Sequence, residues 1–166
     1  METLFTPWRY AYITQGAVVD SSESCFFCAA AREPEREDGL VVRVARHHLV
    51  MLNLHPYTNG HLMVAPLEHR ASPEQVSEAA RAELWPLVLE AQRVLQRAFS
   101  PQGFNLGMNL GRAGGAGVPG HYHFHVVPRW DGDTNFMSVV GSVRVVPDDL
   151  RATRSRLRAL FLEERA

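Results

Sequence analysis

The sequence predicts an α+β fold, an antiparallel sheet with helices packed against one face. Three observations carry this. Short apolar runs with period-two alternation fall before residue 70 and again after residue 103; a long stretch between them repeats apolar residues at helical spacing; and an arginine-rich helical stretch ends the chain.

The first group holds three strand candidates, Leu40 to Arg46, His48 to Leu54 and His61 to Leu67. The last two flank His55-Pro56-Tyr57-Thr58-Asn59-Gly60, a turn signal with Pro early and Asn-Gly at its end. Consecutive strands joined by short turns predict an antiparallel meander. Ser72-Pro73-Glu74-Gln75 reads as a helix start, with a hydroxyl cap, Pro at the first position and Gln at the third, and Ser77 offers a second start. Beyond it Leu84, Leu87, Val88, Ala91, Val94, Leu95 and Phe99 form one helical stripe, with Pro86 inside it as an expected kink or local break and Trp85 as a candidate core residue. Phe104 to Leu110 then alternates as a strand, with Asn105 and Asn109 on one parity. A Gly/Asp/Asn loop covers Asp131 to Asn135, Met137 to Val146 is a candidate extension of the sheet, and Pro147-Asp148-Asp149 opens a helix running to about Glu164.

A chain of 166 residues supports one domain with a sizeable core, read here as 1–166, with an N-terminal arm and loop over 1–37 and a C-terminal helix over 147–166. Hydrophobics at 46% and charged residues at 21% are ordinary for a soluble globular protein. A formal net charge of -1 argues against broad binding to nucleic-acid polymers. All 17 basic residues are arginine, which removes Schiff-base chemistry and a P-loop lysine. No apolar run approaches transmembrane length, and the start lacks the basic-then-apolar layout of a signal peptide, so a cytoplasmic protein without membrane partners is expected.

Function concentrates in His121-Tyr122-His123-Phe124-His125-Val126-Val127. Alternation is a strand pattern, which puts His121, His123 and His125 on one face and Tyr122, Phe124 and Val126 on the other. The residues just before it, Gly111 to Gly120, are a glycine-rich loop whose backbone can approach a ligand. Three readings stand: three independently satisfied histidines, a metal site, or nucleophilic attack by an imidazole on phosphorus, which divides one displacement into two. The loop favours the third, since its N–H groups, including those of Gly115 and Gly117, can nest phosphate oxygens without lysine. His47, His48 and His55 show no partner pattern and read as surface or turn residues. Cys25 and Cys28, in Cys-Phe-Phe-Cys after a polar loop, read as half of a zinc site rather than a disulfide or redox pair.

His-Tyr-His-Phe-His-Val-Val resembles the signature of the histidine triad superfamily of nucleotidyl hydrolases and transferases, and Asn59-Gly60-His61-Leu62-Met63-Val64-Ala65-Pro66 resembles its upstream strand. Leu4 to Arg9, Leu52-Asn53-Leu54 with Pro56-Tyr57, Gly103-Phe104-Asn105 and Pro128-Arg129-Trp130 are similar to the bacterial diadenosine tetraphosphate phosphorylase branch. The resemblance implies a five-stranded antiparallel sheet with a long helix and a C-terminal helix, and a homodimer. It implies that His123 is the nucleophile on the α-phosphate, that His125 contacts the phosphate oxygens, and that His61 borders and supports the site. It further implies Asn53 at the ribose and Asn109 near the phosphates. Relatives often carry Ser, Thr or Gln just before the triad. Here Gly115, Ala116, Gly117, Val118 and Pro119 leave only backbone contacts.

Zinc-containing members, including galactose-1-phosphate uridylyltransferase, pair such a Cys-x-x-Cys with the first triad histidine and a histidine after the upstream strand. The resemblance therefore implies a Cys25, Cys28, His69, His121 set holding a structural zinc. The implied reaction acts on a dinucleoside polyphosphate such as diadenosine tetraphosphate through a nucleotidyl-histidine, resolved by phosphate or water. A nucleoside phosphoramidate substrate or a sugar-1-phosphate acceptor would use the same chemistry, and a zinc-stabilised nucleotide-binding module is the non-enzyme alternative.

Overall fold

A computed structural model describes residues 21–133 and 149–164. Five strands, β1 (Val41–Val44), β2 (His48–Leu52), β3 (Leu62–Pro66), β4 (Gly103–Met108) and β5 (Phe124–Arg129), form one sheet in the order β1-β2-β3-β5-β4. Every neighbouring pair is antiparallel. The possible strand at Met137 to Val146 and the aromatic N-terminal segment lie outside the described residues.

Alternation along the strands sorts the side chains into two layers. Val42, Val50, Leu52, Leu62, Val64 and Val126 pack on one face with the long helix α2 (Glu78–Phe99) and the C-terminal helix α3 (Leu150–Glu163). Each such side chain taken fully from water contributes about 1.5–3 kcal/mol. The opposite face carries Val41, Leu49, Met51, Met63 and Ala65 under a short helix, α1 (Phe26–Arg32). The expectation of helices on one face therefore holds for α2 and α3 and fails for α1. Its Ala29-Ala30-Ala31-Arg32 run of good helix formers was the local signal for it.

Both helix starts seen in the sequence exist, as separate elements. Ser72 caps a 3₁₀ turn (Pro73–Gln75), and Ser77 accepts from the Ala80 amide to start α2. The helix runs unbroken through Pro86. Ala82 and Pro86 are both exposed, so the carbonyl that proline deprives of its donor faces water. Trp85 is also exposed rather than in the core, its ring set edge-on to Phe124. Asp149 caps α3 through the amides of Arg151 and Ala152. Among the described residues no helix is long and apolar enough to cross a membrane.

His48 corrects a sequence reading. It is fully buried, with Nδ1 2.9 Å from Glu83 Oε2 and Nε2 3.1 Å from the Tyr122 hydroxyl. Its partners lie 35 and 74 residues away, beyond any local pattern. Burial, outweighing the pull of Glu83, holds its imidazole below the usual histidine range. Burial opposes the charge of Glu83, yet its bonds to His48 and to the amides of His47 and Arg46 keep its carboxyl below the usual range. The unfolded chain thus takes up a proton near pH 6.5 that the native His48 resists, so stability falls as pH drops through that value. Glu83 extends the loss below its ordinary carboxylate range. Melting temperature is expected to fall between pH 7.5 and 5.5, and His48→Gln should flatten that slope. Parallel slopes in the two proteins would exclude His48 as its source.

Candidate active site and metal cluster

The triad does not lie wholly on a strand. Continuing the β3–β5 register from Val64 opposite Phe124 would set Pro66 opposite Tyr122. Proline brings no N–H to a ladder, and pairing stops at Phe124. The Tyr122 amide instead donates to the Arg70 carbonyl at 2.7 Å, and the Pro66 carbonyl accepts from His121 Nε2 at 2.8 Å. The alternation survives the loss of the strand. His121 and His123 both set their rings against Phe27, at 5.0 and 4.8 Å between centroids, while Tyr122 turns away among Val76, Ala80 and Leu84. His125, on β5 opposite Met63, faces the α1 side of the sheet.

His123 is 5% exposed. Its Nδ1–H donates to the His121 carbonyl at 3.0 Å, which leaves the lone pair on Nε2. Burial, against the opposing pull of that carbonyl, keeps the imidazole below its ordinary range and therefore neutral near pH 7. The His125 ring lies edge-on at 4.9 Å.

A second set of bonds fixes the protons on His61 and His125. His61 is fully buried, entering β3 after the turn at Gly60. Gly60 has φ +75°, and a Cβ there would lie 2.9 Å from Phe99, so glycine is required for the turn that aims His61. The Asn53 Oδ1 accepts from the His55 amide, which orients its amide nitrogen toward His61 Nδ1 at 3.4 Å. The Tyr57 amide donates to the same Nδ1 at 3.1 Å. With Nδ1 accepting, the proton sits on Nε2 and is donated to His125 Nδ1 at 2.9 Å. A neutral His125 then carries its own proton on Nε2, a donor suited to a phosphate oxygen. The ring of Tyr57 stacks on His125 at 5.9 Å and 25° and lies 4.6 Å from His61. Tyr57 has no site role in the sequence analysis, although an aromatic in the turn before His61 is a readable signal.

Asn109 is half-buried and follows Met108, whose partner in the ladder is Phe124. The register carried one step further sets it opposite His123. In the glycine loop, Gly114 packs so close to the Leu110 carbonyl that a Cβ would lie 2.3 Å from its oxygen, and Gly115 has φ +84°. The Gly115 amide donates to the Arg112 carbonyl at 2.9 Å. These glycines are thus demanded by the turns of the loop itself. Gly117 is exposed.

Cys25, Cys28, His69 and His121 converge, with one ligand atom of each within 4.8 Å of all the others. Cys25 immediately precedes α1 and Cys28 sits in its first turn, which turns both sulfurs to one side. Sγ of Cys25 lies 3.4 Å from His121 Nδ1, and Sγ of Cys28 lies 3.6 Å from that atom and 3.3 Å from His69 Nδ1. Bonds of about 2.0–2.3 Å to a tetrahedral zinc imply ligand–ligand edges of about 3.3–3.8 Å. The three sulfur–nitrogen spacings of 3.3, 3.4 and 3.6 Å fall within that range. His121 donates its Nε2–H to Pro66, so Nδ1 presents a lone pair, and burial pushes its imidazole down to about 4 and thus neutral. Burial, with Cys25 adding, pushes the Cys28 thiol up to about 11. Metal coordination would reverse that by taking the thiolate. His69 Nε2 is buried without a hydrogen-bond partner among the described residues. The donor set and its spacing fit zinc.

Residues 35–132 match the HIT domain family. The chain belongs to that family. This HIT protein is 37% identical over 164 residues to AP-4-A phosphorylase of Mycobacterium tuberculosis, covering 95% of this chain and 83% of the relative. It is 28% identical over 131 residues to adenosine 5'-monophosphoramidase hnt1 of Schizosaccharomyces pombe, covering 78% and 92%. Its fold matches the crystal structure of a Zn-bound histidine triad family protein from Mycobacterium smegmatis with TM-score 0.68 and 26% identity, over 86% of this chain and 96% of that one. The HIT match covers His61, His69 and all three triad histidines, while Cys25 and Cys28 precede it.

Proposed function

We propose that this HIT protein cleaves a dinucleoside polyphosphate, diadenosine tetraphosphate being the type substrate, through a nucleotide covalently held on His123. The observation that carries the reading is the Nδ1–H bond of His123 to the His121 carbonyl, which presents a neutral Nε2 lone pair in a nearly dry setting. Nε2 attacks the α-phosphorus, a P–N bond forms, and the P–O bond to the departing ATP breaks. His125, kept as a donor by His61, hydrogen-bonds the phosphate oxygens as charge gathers on them. Asn53 and Asn109 are the candidate contacts to ribose and phosphate, and Gly117 offers loop backbone beside Gly115. Phosphate attack on nucleotidyl-His123 gives ADP, and water gives AMP. Either restores the imidazole.

Zinc held by Cys25, Cys28, His69 and His121 would meet four protein ligands with no open position, so its contribution is structural. It would fasten α1 and the segment after β3 to the approach of β5.

The resemblance to a mycobacterial phosphorylase supports phosphate as the acceptor. Incubation with diadenosine tetraphosphate, with and without phosphate, is expected to give ADP and ATP only when phosphate is present. AMP and ATP without phosphate would make the protein a hydrolase. The fission-yeast relative favours a second substrate for the same His123, adenosine 5'-monophosphoramidate, from which the P–N bond to ammonia breaks instead. Comparing kcat/KM for the two substrates separates the readings.

A further inference from the structure

Tyr122 stands between a cluster ligand and the proposed nucleophile and belongs to neither site. It is 1% exposed, and its ring packs among apolar side chains. Its hydroxyl nevertheless leads into a line of polar groups. The hydroxyl meets His48 Nε2 at 3.1 Å, His48 Nδ1 meets Glu83 Oε2 at 2.9 Å, and Glu83 also accepts the amides of His47 at 2.9 Å and Arg46 at 3.0 Å. Chemistry fixes its direction. An ionised carboxylate only accepts, so His48 carries its proton on Nδ1 and donates to Glu83. The neutral imidazole then accepts at Nε2, from the Tyr122 hydroxyl. Phe at 122 and an apolar residue at 48 would fill the same space without the cost of burying polar groups.

What the line holds is the backbone of the triad. The carbonyl that anchors His123 Nδ1 belongs to His121, the residue immediately before Tyr122, and the Tyr122 amide is bonded to Arg70 at 2.7 Å. Any swing of Tyr122 moves the plane of the His121–Tyr122 peptide, and with it the acceptor that keeps the proton off His123 Nε2. The His121 side chain beyond it is held by Pro66 and the sulfurs, so this peptide is pinned from both ends.

We propose that Glu83, His48 and Tyr122 are positioning residues that lock the His121 carbonyl and thereby keep His123 in its Nδ1–H form, with Nε2 ready to react. The effect on turnover rests on His123 being the nucleophile; the effect on the proton does not. Tyr122→Phe removes one hydroxyl and keeps the ring, and Glu83→Gln replaces the ionised acceptor with a neutral amide. Both are made in the full chain as purified, with metal content measured. Nitrogen-15 NMR of the histidine rings should show His123 as Nδ1–H in the wild type and as a mixture with Nε2–H in each variant. With diadenosine tetraphosphate and phosphate, kcat should fall about tenfold with KM within about twofold, since misplacing a reacting group by a fraction of an ångström affects the transition state more than binding. The double variant should be no slower than the slower single one, because both act through one line.

Folded variants with His123 tautomer and kcat unchanged would overturn the proposal, as would losses that multiply in the double variant. A core-filling role predicts that outcome, with melting temperature alone reduced. If Tyr122→Phe does not fold, Glu83→Gln carries the same two readouts. A changed tautomer beside a wild type that turns over no dinucleotide would sink the nucleophile reading and leave the positioning role standing.

Discussion

His123→Ala is expected to cost at least about a thousandfold in turnover of diadenosine tetraphosphate, the order of loss seen when a covalent nucleophile is deleted. Neither of the other two triad imidazoles can replace it. The lone pair of His121 Nδ1 faces two sulfurs, and that of His125 Nδ1 accepts from His61. Nearby water would have to attack unaided, without the division of the barrier that a covalent intermediate brings. The fold should survive, because the β3–β5 and β4–β5 pairings begin at Phe124 and do not use the His123 side chain. The checks are steady-state rates and mass spectrometry of the quenched enzyme, which should show a nucleotidylated wild-type chain and none in the variant. Turnover within tenfold of wild type would refute the nucleophile assignment. His125→Ala is expected to be less severe, since it removes a donor to the phosphate and leaves the attacking atom in place.

Loss of the metal is expected to have the largest effect on stability. The purified protein should carry one zinc per chain, and replacing Cys28 with Ser should abolish binding. Melting temperature should fall by at least about 10 °C, equivalent to roughly 3 kcal/mol in a chain of this size. The cluster draws ligands from three places distant in sequence, α1, the segment after β3 and the approach to β5. Without the ion, two buried thiols and two imidazoles have only weak sulfur–nitrogen contacts of 3.3–3.6 Å to replace it. A chelator should reproduce the loss in the wild type, and added zinc should restore the melting temperature. That reversal separates metal loss from damage by the substitution. Metal-free purified protein with thiols that titrate in the native state would refute the site.

Much of the sheet was legible because period-two alternation is a local signal. The predicted strands at 40–46, 48–54, 61–67 and 104–110 all exist, each shorter by one to three residues. Their ends are set by partners rather than propensity, as at Pro66, where the missing N–H closes the ladder and releases His121 to His123 from it. The α2 stripe was legible for the same reason, since Leu87, Val88, Ala91, Val94 and Leu95 recur on one helical face and all are buried. The polar core was not legible. His48 and Glu83 look like surface residues in their own segments, and only the crossing of β2, α2 and the approach to β5 makes them a pair with Tyr122.

The sequence by itself determined which residues could share a face, which spacing could gather two sulfurs, and that the histidine motif was the place to look. Periodicity and motif are properties of neighbours along the chain. The tertiary structure decided which nitrogen of each histidine holds a proton. Those protons are set by acceptors and donors brought from elsewhere: the Pro66 carbonyl for His121, the Tyr57 amide for His61, and His61 in turn for His125. Even the local carbonyl that serves His123 lies at a peptide held by Tyr122, His48 and Glu83. Similar side chains thus acquire different tautomers, Nδ1–H on His123 and Nε2–H on His121 and His125, because a hydrogen bond senses distance in space and not separation in sequence.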